Sequence, residues 1–431
     1  MVDLACLYER FDPALPLEPD DPAYVDWQPE IGLTDVKQQL TNSVLLLRDR
    51  YAHRLFTGHR GGGKTTELKR VAERLRTGLT GQRYFVSFLD ADGAIDLDDV
   101  DPTDLVLAIV RQLITDLKEH EGISVGAGGK FRAFLEAARE VLKGLPESGV
   151  DLSVGDPSGV IELSTVLKRQ PSIRREVRRL LEGRLPTLYD AINDELLPAV
   201  EERLGAIGYA GLLVIVDQLD RTSAEDDRHR KVFWEGRGKL KALNCHIVYT
   251  TPIEYAYSRE LPKLENEYGE LLGLPLLPVT AEDEAIRKAA LGCVRQVATT
   301  RMGQCHTDET ELFESTDALD DLIQLSGGHL RTLFLLMRTA IETSDLVTPL
   351  GADHVARVTH GLAAKYLDPL EPPEREVVRL VHATKARPED ERQLGRFYEL
   401  LRDQYVFAYV AHDQRWYDWN PLLERSSLGE E

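Results

Sequence analysis

At 431 residues the chain is long enough for two or three domains, and a hydrophobic share of 42% is enough to give each a core. Its 73 acidic against 52 basic residues leave a formal charge of −21, which argues against a general nucleic-acid binder, because neutralising phosphates requires a basic face. No apolar run approaches the roughly 18 residues of a membrane span, the start Met1-Val2-Asp3-Leu4 lacks a secretory pattern, and Cys6, Cys245, Cys293 and Cys305 form no C-x-x-C, so a cytoplasmic protein with free thiols and no zinc site is expected.

Residues 1–30 are rich in Pro and Asp (Asp12-Pro13, Pro16, Pro19-Asp20-Asp21-Pro22) and predict an extended arm with little regular structure. Within it Tyr24, Val25 and Trp27 staple the arm to the core or, as the second choice, pack on an adenine ring. Thr34 followed by Val36, Leu40, Val44 and Leu47 predicts a capped helix. Arg54-Leu55-Phe56-Thr57 predicts a short strand, and it runs into Gly58-His59-Arg60-Gly61-Gly62-Gly63-Lys64-Thr65-Thr66. That stretch fits the phosphate-binding pattern G-x-x-x-x-G-K-[ST]. Gly58, Gly61, Gly62 and Gly63 let the backbone curl until its N–H groups point into one anion-sized hollow. Lys64 is placed to reach the β- and γ-phosphates of a nucleotide, and the Thr65 hydroxyl, next to Thr66, to sit on Mg2+. Leu68, Val71, Ala72 and Leu75 then share one helical face, with Gly78 as a stop.

Tyr84 to Leu89 predicts a second strand, followed by Asp90, Asp92, Asp96, Asp98, Asp99 and Asp101. EF-hand spacing and its closing Glu are absent, so this reads as a solvated loop ahead of a metal-binding one. A helix is expected over Leu105 to Leu117, and the glycine-rich residues 120–157, with a helical piece from Phe131 to Leu142, read as a mobile or inserted segment. A long helix is predicted from Ser172 to Leu204, bent at Pro186 and Pro198. Its Arg174, Arg175, Arg178, Arg179 and Arg184 form the best basic patch, read first as a solvated face or partner contact and second as a phosphate or nucleic-acid contact.

Leu212-Leu213-Val214-Ile215-Val216 fits a strand buried on both faces of a parallel sheet. It ends in Asp217-Gln218-Leu219-Asp220-Arg221, and an acid there is where Mg2+ would be held opposite the phosphate loop. A fourth strand, His246 to Tyr249, ends in Thr250-Thr251-Pro252, and a fifth is expected over Leu274 to Val279. Helical patterns follow over Glu282 to Thr300 and Leu319 to Glu342, the second containing Ser326-Gly327-Gly328-His329-Leu330-Arg331. From Ala352 three helical stretches precede Tyr405 to Val410, a short turn, and Arg415-Trp416-Tyr417-Asp418-Trp419, which predicts a small winged-helix domain.

The phosphate loop, the strand ending in Asp217, the strand ending in Thr250 and Gly328-x-x-Arg331 resemble, in that order, Walker A, Walker B, sensor 1 and sensor 2 of AAA+ and STAND-type ATPases. The branch containing origin-recognition/Cdc6-like and STAND signalling ATPases is the most similar. The resemblance covers roughly residues 30–425 and implies an α/β fold: a P-loop NTPase parallel sheet with a helical insertion, a helical lid and a C-terminal winged-helix domain. The implied division is an arm over 1–30, a core over 31–280 with its insertion at about 100–205, a lid over 281–350 and a winged-helix-like domain over 351–431.

The resemblance further implies ATP and Mg2+ as cofactors, with Gly58, Gly61, Gly62, Gly63, Lys64, Thr65 and Thr66 on the phosphates and Thr65 and Asp217 on the metal. Thr250 and Arg331 take the sensor roles. Many AAA+ proteins have Asp-Glu where this chain has Asp217-Gln218. A neutral Gln can orient water but cannot accept its proton, which leaves Asp220 as the nearby base or makes the protein a slow switch. Arg259, with Arg228 and Arg230 as alternatives, is the position for a trans arginine. Trp416 to Asn420 contains no histidine of the kind NLR-like proteins use to sense nucleotide, and His412 falls in the turn. The function implied is an ATP-hydrolysing switch that assembles or activates a separately encoded protein partner, as a homo-oligomer or hetero-complex, in a bacterial conflict or defence system. The alternatives are a DNA-engaging ATPase of the origin-loading or transposition-regulator kind, which the charge disfavours, and a non-hydrolysing nucleotide-binding scaffold. No Asn-Lys-x-Asp segment for guanine is present.

Overall fold

The computed structural model describes residues 2–430 apart from 48–49, 127, 145–151, 156–157, 223–229 and 412–413. Arg228, His412 and the hairpin turn therefore lie outside the described residues. The chain divides into two compact units: Lys37–Thr57 with Leu68–Leu272, and Met1–Val36 with Gly58–Glu67 and Gly273–Glu431.

The first of these carries most of a sheet of five strands, β1 (His53–Gly58), β2 (Tyr84–Asp90), β3 (Gly211–Asp217), β4 (His246–Thr250) and β5 (Leu272–Leu274), in the order β2-β3-β4-β1-β5. The pairs β2/β3, β3/β4 and β1/β4 are parallel, with Phe56 opposite Thr250 and Val216 opposite Tyr249. Leu212 to Val216 are all buried, as a strand covered on both faces requires. With the phosphate loop leaving β1, this is the α/β P-loop NTPase arrangement. The fifth strand, expected over Leu274 to Val279, lies instead at Leu272–Leu274 and ends before Pro275, because Pro275 and Pro278 lack the N–H a ladder needs.

The long helix expected from Ser172 to Leu204 is four pieces: Pro171–Glu182, Leu185–Ala191, a wider turn over Ile192–Leu196, and Leu197–Ala206. Pro171 and Pro186 sit in the first turns of their pieces, where a missing N–H costs nothing, so they start helices instead of bending one, whereas Pro198 follows directly on the wider turn Ile192–Leu196 inside a helical run that continues from Leu185 to Ala206. Helices Gly129–Lys143, Ser158–Arg169 and Pro171–Glu182 pack with one another, and Ser158–Arg169 packs on Pro102–Glu121, so the inserted segment forms a layer of its own with apolar residues buried in the unit's core.

The acidic stretch after β2, expected as a solvated loop, keeps Asp90, Asp92 and Asp98 exposed but is ordered into short helical turns. Asp90, Asp96 and Asp101 cap successive short turns and the helix Pro102–Glu121. Asp96 and Asp99 bind Arg174 at 2.7 and 3.1 Å, and Asp99 and Asp104 bind Arg178. Arg174 is only 1% exposed and also donates to the carbonyls of Leu167 and Lys168. These two arginines are thus neither a solvated face nor a contact for an outside phosphate, because carboxylates of the same unit neutralise them.

In the second unit the arm is more ordered than its prolines imply. Asp3 caps the helix Leu4–Arg10, whose Leu7 is buried, as is Phe11 just after it. Cys6 on that helix is disulfide-bonded to Cys305, which follows the helix Glu284–Gln304, so two of the four cysteines are not free thiols; Cys245 and Cys293 are. Trp27 is buried and the Tyr24 hydroxyl bonds Glu67 at 3.2 Å, which is stapling. Helices Glu284–Gln304, Thr316–Leu325 and Leu330–Glu342 are followed by Ala352–Leu367, Pro372–Thr384 and Glu391–Arg402. The chain then forms an antiparallel hairpin, β6 (Val406–Ala411) with β7 (Gln414–Trp419), the helices-then-hairpin order expected. No helix among the described residues is long and apolar enough to cross a membrane.

Candidate phosphate-binding site

The phosphate loop lies in the same unit as the helices after β5 and the hairpin. Gly61 and Gly63 have φ of +82° and +106°, conformations that an L side chain resists. The turn is closed by Gly62 N–H on the His59 carbonyl at 3.1 Å, and the helix Lys64–Thr77 starts at once, with Glu67 N–H on the Gly63 carbonyl. Its N-terminal N–H groups and dipole give the loop the backbone features that favour an anion. Lys64 is 6% exposed, and its ammonium donates to the carbonyls of Gly58 at 2.8 Å and His59 at 3.1 Å. The Thr66 hydroxyl accepts from Leu17 N–H at 3.1 Å, which ties the arm to the helix start.

Arg331 is brought onto this loop. A Cβ placed on Gly61 would meet Arg331 Cβ, Nε and Cδ at 2.6–2.8 Å, so the absent side chain is what admits the arginine. Arg331 Nε also points to the Pro13 carbonyl at 3.4 Å. Two residues earlier, His329 is fully buried and bonds the Arg60 carbonyl through Nε2 at 2.6 Å. A carbonyl only accepts, so Nε2 carries the proton and Nδ1 accepts from the Thr332 hydroxyl at 2.8 Å. Burial first, then the charges of Arg331 and Lys64, push His329 down to about 4 against the pull of the Arg60 carbonyl.

His59 has the opposite tautomer. Its Nε2 accepts from Ala408 N–H on β6 at 3.0 Å, which leaves the proton on Nδ1, a buried atom with no hydrogen-bond partner among the described residues. Burial, then His329 and Lys64, hold this imidazole well below its ordinary value, so it is neutral. Phe407 lies against both rings, at 5.3 Å from His59 and 5.4 Å from His329. Sequence reasoning missed both histidines, because the motif leaves position 59 open and because His329 sits between the glycine pair and Arg331 with no pattern of its own. Tyr409 of the same strand donates to the Gly327 carbonyl at 2.8 Å.

In the other unit, the residues expected at the ends of β3 and β4 come together. Asp217 is 1% exposed, and one of its oxygens accepts from Gln218 N–H at 2.8 Å. Gln218 adopts a left-handed conformation, φ +61°, uncommon for a residue with a side chain. It turns the chain into the short helix Leu219–Arg221, where Asp220 is buried. The Thr250 hydroxyl accepts from Leu219 N–H at 2.9 Å and lies 3.4 Å from the Val216 carbonyl, so Thr250 fixes the turn that positions Gln218 and Asp220. Arg221 pairs with Asp92 at 2.7 Å, and Arg230 with Glu260 at 3.4 Å.

No protein-family model matches the chain, and no curated protein does. Solved structures match over nearly its whole length. The Aeropyrum pernix ORC2 protein, solved as ADPNP–ADP complexes, is 15% identical over 98% of this chain and 96% of its own, with a TM-score of 0.44. A Walker-type ATPase of Pyrococcus abyssi is 14% identical over 97% of this chain and 99% of its own, with a TM-score of 0.46. Cdc6p of Pyrobaculum aerophilum is 12% identical over 97% and 96%, with a TM-score of 0.42. Likenesses of this order carry no argument, and the fold class stands on the strand order and phosphate loop of the chain itself.

Proposed function

We propose that the chain is an ATP-binding and ATP-hydrolysing switch of the AAA+/STAND kind, which controls assembly or activation of a separately encoded protein partner. The observation that carries this reading is Arg331 seated on Gly61 of the phosphate loop, since a helix N-terminus with a lysine and a second cation around one glycine turn is built for a polyphosphate. Lys64 and Arg331 neutralise phosphate charge. Thr65 and Asp217 are hard oxygen donors of the type Mg2+ takes alongside phosphate oxygens and water, and they would hold it. When bound, that ion neutralises charge developing on the transferred phosphoryl group. Asp220 is the base for the attacking water and Gln218 orients it. Thr250 holds the turn that presents both. The resemblance extends this reading to a conflict or defence setting, with a homo-oligomer or hetero-complex as the active form.

Steady-state ATP turnover of wild type beside Lys64→Ala and Asp220→Asn tests it. Turnover lost in both variants, with ATP binding lost only in Lys64→Ala, is the expected result. ATP binding by Lys64→Ala at wild-type affinity would overturn the reading.

A second reading, engagement of DNA, draws on the three helices and hairpin after Gly351. The internal pairing of Arg174 and Arg178 takes two of the five arginines of the basic patch away from it. Steeply salt-dependent gel shifts would support it.

A further inference from the structure

We propose that His59 is the residue through which occupancy of the phosphate loop is passed to the C-terminal hairpin, by a relay that runs from Lys64 to the His59 carbonyl and from the His59 imidazole to Ala408. The inference rests on the phosphate loop binding nucleotide, as proposed above.

The two ends of His59 are held by different parts of the unit. Its backbone carbonyl receives the Lys64 ammonium at 3.1 Å, and its ring nitrogen receives the Ala408 N–H of β6 at 3.0 Å. A phosphate oxygen competes for the same ammonium, and a charged acceptor outcompetes a carbonyl. Binding therefore takes a donor from the His59 carbonyl and lets the first turn of the loop re-form around the anion. The imidazole moves with its backbone, and the bond to Ala408 is the contact that must stretch.

Two features make that contact easy to release. Nδ1 of the docked ring is a buried donor without an acceptor among the described residues, so the docked state bears an unmet polar group that a reorientation can relieve. The ring also meets Phe407 edge-on and is acted on by the neutral, fully buried His329 and by the Lys64 charge, none of which supplies it a strong attraction. The opposite tautomers of the two histidines divide their duties. His329 donates to the loop at the Arg60 carbonyl and stays with the arginine-bearing helix, whereas His59 accepts from the hairpin. β6 is tied to the glycine pair independently, by Tyr409 on Gly327, so losing the His59 bond leaves the hairpin attached on that side and free to tilt at Ala408.

Hydrogen exchange of the peptide covering β6, with and without Mg·ATP, is the test. In wild type, nucleotide should speed exchange at β6. In His59→Ala, β6 should exchange about tenfold faster without nucleotide, the loss expected of one protecting bond, and nucleotide should change it no further. Because coupling is reciprocal, His59→Ala should also bind ATP several-fold tighter, since the docked hairpin no longer opposes the loop's rearrangement. His59→Gln, whose amide oxygen can accept where Nε2 does, should restore slow exchange and the nucleotide response. A merely structural histidine would give weaker or unchanged binding in His59→Ala. If both proteins bind ATP alike and β6 responds to it in both, the relay is wrong and the nucleotide-site reading survives. If wild type binds no nucleotide, both fall.

Discussion

Replacing Arg174 separates an internal staple from a ligand-binding cation. Its guanidinium donates to Asp96 at 2.7 Å, Asp99 at 3.1 Å, the Leu167 carbonyl at 2.6 Å and the Lys168 carbonyl at 3.0 Å, with 1% of the residue exposed. In Arg174→Met the stem volume remains and all four bonds vanish. The carboxylates of Asp96 and Asp99 are 33% and 42% exposed, so water recovers them at little cost. The two carbonyls end the helix Ser158–Arg169 and lose their cap, at about 1 kcal/mol or more each. With the residual charge imbalance of the acidic turn added, a loss of about 3 kcal/mol is expected, the low end for breaking a buried pair. Urea unfolding followed by far-ultraviolet circular dichroism reads this as a lower midpoint. Any DNA retention at low salt should be unchanged under conditions where the variant is folded. A midpoint equal to wild type, or a selective loss of DNA binding without loss of stability, would refute the assignment of Arg174 to the interior.

Gly61→Ala places a methyl within 3 Å of Arg331 on a backbone that already disfavours a side chain, so ATP binding should weaken at least about tenfold while circular dichroism stays native. The Cys6–Cys305 bond spans 299 positions, and the chain-entropy relation gives it at most about 5–6 kcal/mol. Independent folding of the segment it encloses lowers that to a few, so Cys6→Ser should melt lower than oxidised wild type and match the wild type treated with a dithiol; four titratable thiols in the unreduced, unfolded protein would contradict the bond. His329 is held at about 4 when folded against about 6.5 unfolded, so the unfolded chain takes up the proton first as pH falls. Its stabilisation is complete above pH 6.5, has dropped by about 2 kcal/mol at pH 5 and is lost by pH 4, and His329→Gln should flatten that part of a thermal-melt pH profile.

The parts of this chain that were legible in its sequence are those that local chemistry decides. The run Leu212 to Val216 could only be a doubly covered strand, and Gly58 to Thr66 could only curl as it does, because steric freedom and hydrophobic period act within a few residues. The helix Leu4–Arg10 had a signal that composition obscured: Asp3 in the capping position ahead of Leu4, Leu7 and Phe11 on one face. The fifth strand failed for an equally local reason, since the two prolines within the expected span had to end it. The arginines near residue 174 were different. Nothing within ten residues of them says that carboxylates near residue 99 fold onto them, and a basic run looks the same whether its counter-ions are protein, water or nucleic acid. The disulfide was hidden in the same way by its separation.

The site divides along that line too. A phosphate-loop motif specifies the positions that touch phosphate and leaves four others open, and those open positions are where one P-loop protein can differ from another. In this chain three of the four make contacts that no motif requires: Gly61 admits Arg331, the Arg60 carbonyl receives His329, and the His59 ring receives β6. The anion-binding backbone makes no demand on the side chain at positions 59 and 60, so these two can wire the loop to the rest of its unit. A side chain at the start of the arginine-bearing helix and a backbone N–H of the hairpin, both bonded to the loop, give each element a stake in the loop's conformation. That is the condition a nucleotide switch must meet: the ligand can bias an element only through contacts that differ between its two states. Lys64 supplies the difference, because its ammonium serves either the loop's own carbonyls or a phosphate, and the two uses compete.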